Sequence, residues 1–521
     1  ISQVGGGFTT GGTGWYRKTF TLPDFARGKR IHILFEGVYM NADVWLNGQH
    51  LGNHPYGYTS FGYDLTDKIK NGEENVLAVQ VKNEGQNSRW YSGSGINRHV
   101  WLQILEPVHL VQWGTQVVPA NVSAYSALIG TRVSVKTATG QAVRVQLLSA
   151  ILDPAGKEVA QWKSELEIAA GAVSTDRQNH PVTNPVRWSL ENPALYKLKT
   201  RILEDGRLLQ EQLTPFGIRS IHFDAQNGFL LNGKSVKLKG GCYHNDNGPL
   251  GARSYDRAEE RRVELMKASG FNAIRCSHNP PPPAFLDACD RLGILVVDEA
   301  FDMWKDPKNP YDYHLYFNDW WKKDIRSMVE RDINHPSVII WSIGNEIPNR
   351  EKPEVVAVAR ELAGYIRSLD TSRPLTAAVN DVKEDKDPYF SVLDIAGYNY
   401  AAGNYEADHQ RKPNRVMMGT ESYALEAFDY WMPVLDHPYV IGDFIWTGFD
   451  YIGEASIGWR GYPQEKNFYP WNLAYCGDID ICGWKRPQSY YRDALWSPDK
   501  LALFVHPPSP SFPLNPKTEK W

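Results

Sequence analysis

Two glutamates carry the chemistry this sequence offers. Glu346 closes the run Val338-Ile339-Ile340-Trp341-Ser342-Ile343-Gly344-Asn345-Glu346, and Glu421 sits in Thr420-Glu421-Ser422 behind another apolar stretch. Paired carboxylates roughly 5 Å apart suit double displacement at an acetal carbon, whereas a gap of roughly 6.5–9.5 Å admits a water and gives inversion. In the first case one carboxylate attacks the anomeric carbon, while the other protonates the leaving oxygen and then deprotonates water. The two pKa values must therefore be held apart. Arg275, at the end of Asn272-Ala273-Ile274-Arg275, is placed to keep Glu421 ionised. That makes Glu421 the nucleophile and leaves Glu346, facing its charge, to hold a proton. The plainer alternatives are a solvated carboxylate at Glu346 and a helix-facing salt bridge at Arg275.

Positioning such a pair requires elements that converge. The run before Glu346 is dense in β-branched and aromatic residues without alternation, as in a parallel strand covered on both faces. From about residue 219 short apolar strands alternate with helical stretches such as Asp256 to Ser269 and Pro353 to Leu369, the pattern of βα units. Candidate strands are Val236 to Lys239, Ala273 to Arg275, Ile294 to Asp298, Val338 to Ile343, Leu375 to Ala378, Leu393 to Gly397, Val416 to Gly419 and Val440 to Trp446. Eight such units in this length make one (β/α)₈ barrel, whose chemistry lies at the C-terminal mouth. Seven of the strands end in polar groups, among them Tyr243-His244-Asn245-Asp246-Asn247, Arg275-Cys276-Ser277-His278, Asp298-Glu299, Tyr398-Asn399-Tyr400, and Trp446 with Asp450. Strands four and seven are expected on far sides of the ring, so that Glu346 and Glu421 point at each other.

The preceding residues read as two β-sandwiches. Over 1–108 strand-length runs such as Trp15-Tyr16-Arg17-Lys18-Thr19-Phe20 and Val76-Leu77-Ala78-Val79-Gln80-Val81 accompany an Asn47-Gly48 hairpin signal. Over 109–218 the strands and their spacing fit an immunoglobulin-like sandwich. The segment Ser88 to Arg98, rich in Gly and Ser, reads as a long exposed loop, of the kind that either does nothing or edges a neighbouring site. The barrel is expected over 219–505. Residues 506–521, following Phe504 and rich in proline, read as a linker or the start of a further domain.

Composition excludes several classes. The chain has 521 residues, 42% hydrophobic and 22% charged, with a formal net charge of −4, so no basic field for nucleic acid exists. No apolar run reaches membrane-spanning length. Its 18 Trp and 27 Tyr point toward carbohydrate, whose C–H faces pack on aromatic rings. Five cysteines without CxxC spacing argue against a disulfide framework and a zinc site. The chain begins at Ile1, like a mature, trimmed or partial chain. Its compartment is hardly legible, with a periplasmic or secreted bacterial enzyme favoured over a cytoplasmic one. Asn121-Val122-Ser123 is a glycosylation triplet too common to use.

The motifs Gly240-Gly241-Cys242-Tyr243-His244, Asn272 to Pro280, Asp290 to Ala300 and Asp332 to Glu346 together resemble the signature segments of family 2 glycoside hydrolases. Asp43 to Gly52 resembles the strand-turn-strand of that family's leading jelly roll. The likeness covers essentially the whole chain. It implies a jelly roll, an immunoglobulin-like sandwich and a TIM barrel, with Glu346 as acid/base and Glu421 as nucleophile. It further implies that His244 and His278 bond sugar hydroxyls, Asn345 the 2-hydroxyl and Tyr400 the nucleophile, with Trp446 as an aromatic wall and Asp246, Arg275 and Asp450 also at the substrate site. No cofactor is implied. Besides a glycoside or oligosaccharide substrate, a homo-oligomer is compatible with the sequence.

The family divides into β-galactosidases, β-glucuronidases and β-mannosidases. In glucuronidases an Asn-x-Lys motif grips the sugar carboxylate; here the matching Asn472-Leu473-Ala474 lacks lysine, although Lys485 and Arg486 stand nearby. Tyr475 to Asp480, Gly483 to Pro487 and the Ser-Arg-Trp-Tyr loop resemble bacterial β-galactosidases, the favoured reading. Where metal-dependent relatives carry Glu and His, this chain has Phe301-Asp302-Met303-Trp304-Lys305, a poor site for a hard divalent cation, so no catalytic metal is expected. The acid those enzymes use near Trp90 is replaced by Ser88 or Arg89, which leaves recognition of the sugar's O6 unexplained. A catalytically silent carbohydrate-binding module is the rival reading.

Overall fold

A computed structural model describes residues 7, 9–455, 457, 472–497, 499 and 501–503; the linker expected over 506–521 lies outside them. Eight parallel strands close into a barrel: Leu238–Tyr243, Ala273–Cys276, Leu295–Glu299, Val338–Asn345, Leu375–Val379, Ile395–Asn399, Val416–Ser422 and Val440–Ile445. Closure is direct, the first strand pairing with the eighth from Leu238↔Gly442 to Gly241↔Ile445. Every residue of Val338–Asn345 is buried, which is why that strand shows no polar alternation. Val236 falls before the first strand because its N–H bonds back to Phe229 O, and Leu393 before the sixth because its N–H closes a turn on Phe390 O. The hairpin Ile221–Asp224/Gly228–Leu231 puts Phe229 and Leu231 against Leu238, Leu295, Ile339 and Ile441. Each such buried side chain contributes about 1.5–3 kcal/mol, and this cluster fills the barrel floor.

Ahead of the barrel stand two antiparallel sandwiches. In the first, Gly12–Phe20, Asn75–Asn83, Ala42–Leu46 and Gln49–His54 make one sheet, and Phe61–Asp64, Arg30–Phe35 and Val100–Leu105 another. Asn47 and Gly48 turn its hairpin at φ +52° and +82°, the primed turn that matches strand twist. The second sandwich packs Val108–Ala120, Ser126–Thr137 and Val173–Thr183 over Glu158–Ile168, Val143–Leu152, Tyr196–Glu204 and Arg207–Phe216.

The segment Ser88 to Arg98 corrects the expectation of an exposed loop. Ser88, Trp90, Ser92, Asn97 and Arg98 are all buried. Arg98 donates to Tyr58 O at 2.8 Å, Pro280 O at 2.8 Å and Asn245 Oδ1 at 3.2 Å, which ties the first sandwich to the barrel loops beyond strands one and two. Among the described residues no helix is long and apolar enough to cross a membrane.

Candidate active site

Arg275 is the hub. Fully buried at the end of the second strand, it donates from Nη1 to Glu421 Oε1 at 2.9 Å, from Nη2 to Asn345 Oδ1 at 2.9 Å, and from Nε and Nη2 to Glu299. Burial opposes its charge, but Glu299 and Glu421 hold its pKa well above the ordinary value. The guanidinium is thus a permanent cation shared between two carboxylates.

Glu421 stands in the seventh strand opposite Asn399 of the sixth. It is 4% exposed and takes a further hydrogen bond from the Tyr400 side chain. Burial pushes its carboxyl up to about 7, opposed by Arg275 and reinforced by the charge of Glu346. Arg275 acts on Glu421 in the direction its residue type implies, but desolvation, invisible in the sequence, outweighs the cation.

Glu346 follows the fourth strand with φ +41°, a left-handed setting that costs a non-glycine residue about 1–3 kcal/mol. Its N–H donates to Ala378 O at 2.8 Å, and Asn399 Nδ2 donates to its Oε1 at 3.0 Å. Unlike Glu421 it is only half-buried. Strands four and seven are three places apart in the ring of eight, short of a diameter. The end of the sixth strand bridges the two glutamates, since Asn399 reaches Glu346 and the next residue, Tyr400, itself at φ +55°, reaches Glu421. A continuous path of hydrogen bonds runs from Glu421 through Arg275, Asn345 Oδ1 and Asn399 to Glu346.

His278 gives one ring nitrogen to this network, its Nδ1 lying 2.7 Å from Glu299 Oε1. Burial drives its pKa well below the usual value, so the ring is neutral, and Glu299 selects the tautomer protonated at Nδ1. Nε2 then accepts, 3.3 Å from Asn345 Nδ2. The ring stacks on Trp446, centroids 5.2 Å apart and planes 7° from parallel.

His244 lies in an aromatic cage of Trp90, Trp446 and Tyr451, at centroid distances of 4.7, 5.1 and 4.3 Å. Burial makes it neutral too, and neither ring nitrogen has a hydrogen-bond partner among the described residues. Buried polar atoms of this kind are satisfied by a ligand or water. This arrangement suits sugar hydroxyls beside an aromatic face.

Two sequence candidates have other attachments. Asp246, pushed up to about 6 by burial, accepts from Gly248 N–H at 3.2 Å and Ile452 N–H at 3.3 Å, stapling the loops after the first and eighth strands. Asp450 is not joined to the carboxylate network. It lies beyond the end of the eighth strand, where its N–H bonds Ile479 O; its carboxylate takes Gly477 N–H at 2.9 Å and pairs with Arg486. Lys485 pairs with Asp493.

Sequence reasoning left out Glu299, Asn399, Asp302, Lys308 and Arg89. The first two stood in strand-end motifs that were noticed but not assigned. Asp302, held well below the carboxylate range by Arg89 and Lys308 against the effect of burial, accepts from Arg89 at 3.1 Å, Lys308 at 2.6 Å and Asn345 Nδ2 at 3.0 Å. Arg89, from the first sandwich, also pairs with Glu454 at 3.3 Å. Two cations and two carboxylates thus balance beside Asn345.

Comparison with known proteins matches this arrangement to three family models: "Glycosyl hydrolases family 2, sugar binding domain" over residues 7–105, "Glycosyl hydrolases family 2" over 112–219, and "Glycosyl hydrolases family 2, TIM barrel domain" over 224–411. The chain is 36% identical to beta-galactosidase BoGH2A of Bacteroides ovatus, over 97% of this chain and 67% of that protein. It is 35% identical to a putative beta-glucuronidase of Formosa agariphila, over 95% of this chain and 51% of that one. A crystal structure of a glycosyl hydrolase family 2 member from Bacteroides cellulosilyticus superposes with a TM-score of 0.95 at 51% identity, covering 99% of this chain and 67% of the other. The chain therefore spans between half and two thirds of these relatives.

Proposed function

The chain belongs to glycoside hydrolase family 2, and from that premise we propose that it is a retaining, exo-acting β-glycosidase that hydrolyses terminal β-D-galactosides. The observation that carries this reading is the pair Glu346 and Glu421, joined through Arg275, Asn345 and Asn399 at the barrel mouth. Glu421, ionised, attacks the anomeric carbon and forms the glycosyl-enzyme as Glu346 gives its proton to the leaving oxygen. Glu346 then takes a proton from water, which attacks the same carbon and releases Glu421. Arg275 and Tyr400 donate to the nucleophile. Asn345, fixed by Arg275 and Asp302, is oriented for the 2-hydroxyl. His244, neutral and unspent, and His278 are suited to other hydroxyls, with Trp446 as the wall.

The sugar assignment is supported by how cations are used. Arg486 is paired with Asp450, Lys485 with Asp493, and Arg89 and Lys308 with Asp302. A uronate brought here would have to displace an internal carboxylate, whereas a neutral hexose would not. The 35% identity to a protein named a putative beta-glucuronidase favours β-glucuronides as the second reading. A panel of nitrophenyl β-glycosides tests both, with Glu346→Gln and Glu421→Gln as controls. Fastest turnover is expected on the galactoside. Faster cleavage of the glucuronide overturns the sugar assignment and leaves the chemistry standing; no turnover of any glycoside favours a binding protein.

A further inference from the structure

Past the third strand the chain runs alongside the last residues of the fourth and does the work of a neighbouring strand. Asn345 N–H donates to Phe301 O at 3.1 Å, and Trp304 Nε1 donates to Ile343 O at 2.9 Å. Lys308 Nζ donates to Asn345 O at 2.9 Å. The peptide joining Asn345 to Glu346 is thereby held at both polar ends, its carbonyl by Lys308 and its N–H by Ala378 O at 2.8 Å. The orientation of that peptide sets φ of Glu346, which at +41° is a setting a side chain with a Cβ leaves unless its surroundings hold it.

Lys308 is itself anchored. Its backbone N–H donates to Asp312 Oδ2 at 2.9 Å and its ammonium to Asp302 Oδ1 at 2.6 Å. The charged groups around that ammonium are Asp302, Arg89 and Glu346. Asp302 balances it, so its contribution is directional more than a bare field.

Resting on the reading of Glu346 as the acid/base, we propose that Lys308 is a positioning residue for Glu346, its ammonium clamping the Asn345–Glu346 peptide so that the carboxyl is aimed at the leaving oxygen. Misaiming a general acid harms substrates whose leaving group needs a proton and spares those whose leaving group departs as a stable anion. The test is kcat/KM of the parent and of Lys308→Met, Lys308→Gln and Glu346→Gln on 2,4-dinitrophenyl and methyl β-galactosides. For Lys308→Met the expected loss is on the order of 10- to 100-fold on the methyl galactoside and under about threefold on the dinitrophenyl one. Lys308→Gln, which keeps a neutral donor, recovers part of the loss. Dinitrophenyl turnover reports that each variant is folded; should Lys308→Met fail that check, Lys308→Gln carries the same comparison. Equal loss on both substrates, or loss on neither, overturns the clamp when Glu346→Gln shows the leaving-group split. If Glu346→Gln also lacks the split, the acid/base assignment has failed, and the clamp with it.

Discussion

Replacing Glu421 by glutamine should make the protein more stable, and by an amount that depends on pH. Burial holds the folded-state carboxyl at about 7 against 4.5 for a solvated glutamate. A raised carboxylate pKa contributes stability that is present in full below the unfolded value and lost as pH rises through the folded one, because the folded chain there binds the extra proton. At 1.36 kcal/mol per pH unit the gap amounts to about 3 kcal/mol once both states are ionised. Glu421→Gln mimics the protonated form at every pH. Its advantage over the parent should be under about 1 kcal/mol near pH 5 and about 3 kcal/mol by pH 8. The assay is thermal unfolding of both proteins from pH 5 to 8, with the difference in Tm widening by several degrees across the series. A difference that stays constant with pH, or that narrows, would refute the claim that desolvation outweighs Arg275 at this site.

The same balance sets activity. In Arg275→Gln the opposing cation is gone, so the acidic limb of the kcat/KM profile should move to higher pH, with a stability loss of roughly 3–5 kcal/mol from the unpaired Glu299; pH–rate profiles and denaturant unfolding check the two parts. Tyr400→Phe removes one donor to the nucleophile and should cost roughly 10²-fold in kcat, with a smaller move of that limb in the same direction, read on the nitrophenyl galactoside. His335, paired with Asp290 at 2.6 Å and held at about 9 against 6.5, tests the opposite sign. Its stability is present in full below 6.5 and lost as pH rises through about 9, so His335→Gln should unfold more easily than the parent by about 3 kcal/mol near pH 6, with the difference vanishing by pH 10 and kcat unchanged.

The barrel was legible because strands buried on both faces announce themselves as unbroken β-branched runs; Val338 to Ile343 could hardly be read otherwise. Strand starts were legible to within two residues, but the first and seventh strands run on to Tyr243 and Ser422, four and three residues past their expected ends, since hydrogen bonds that begin or extend a strand leave no trace in composition. Burial was misread at Ser88 to Arg98: glycine and serine report an irregular backbone, and nothing in them says that a second domain will cover it. Asp450 was placed by counting past the eighth strand, but a chain beyond its last ladder bond is free to turn, and its carboxylate turned to Arg486. Lys308 stands in a loop of unremarkable composition, so only the fold brings it to Asn345. The sign of Arg275's influence on Glu421 could be read from residue type; its defeat by desolvation could not.

Arg98 sets a condition on any attempt to mix parts among relatives. Its guanidinium spans the seam between sandwich and barrel and ends on the carbonyl of Pro280, two residues past His278. A chimera that kept this barrel and took its leading module from elsewhere would strand those carbonyls in a dry crevice, and the imidazole two residues upstream would inherit the slack.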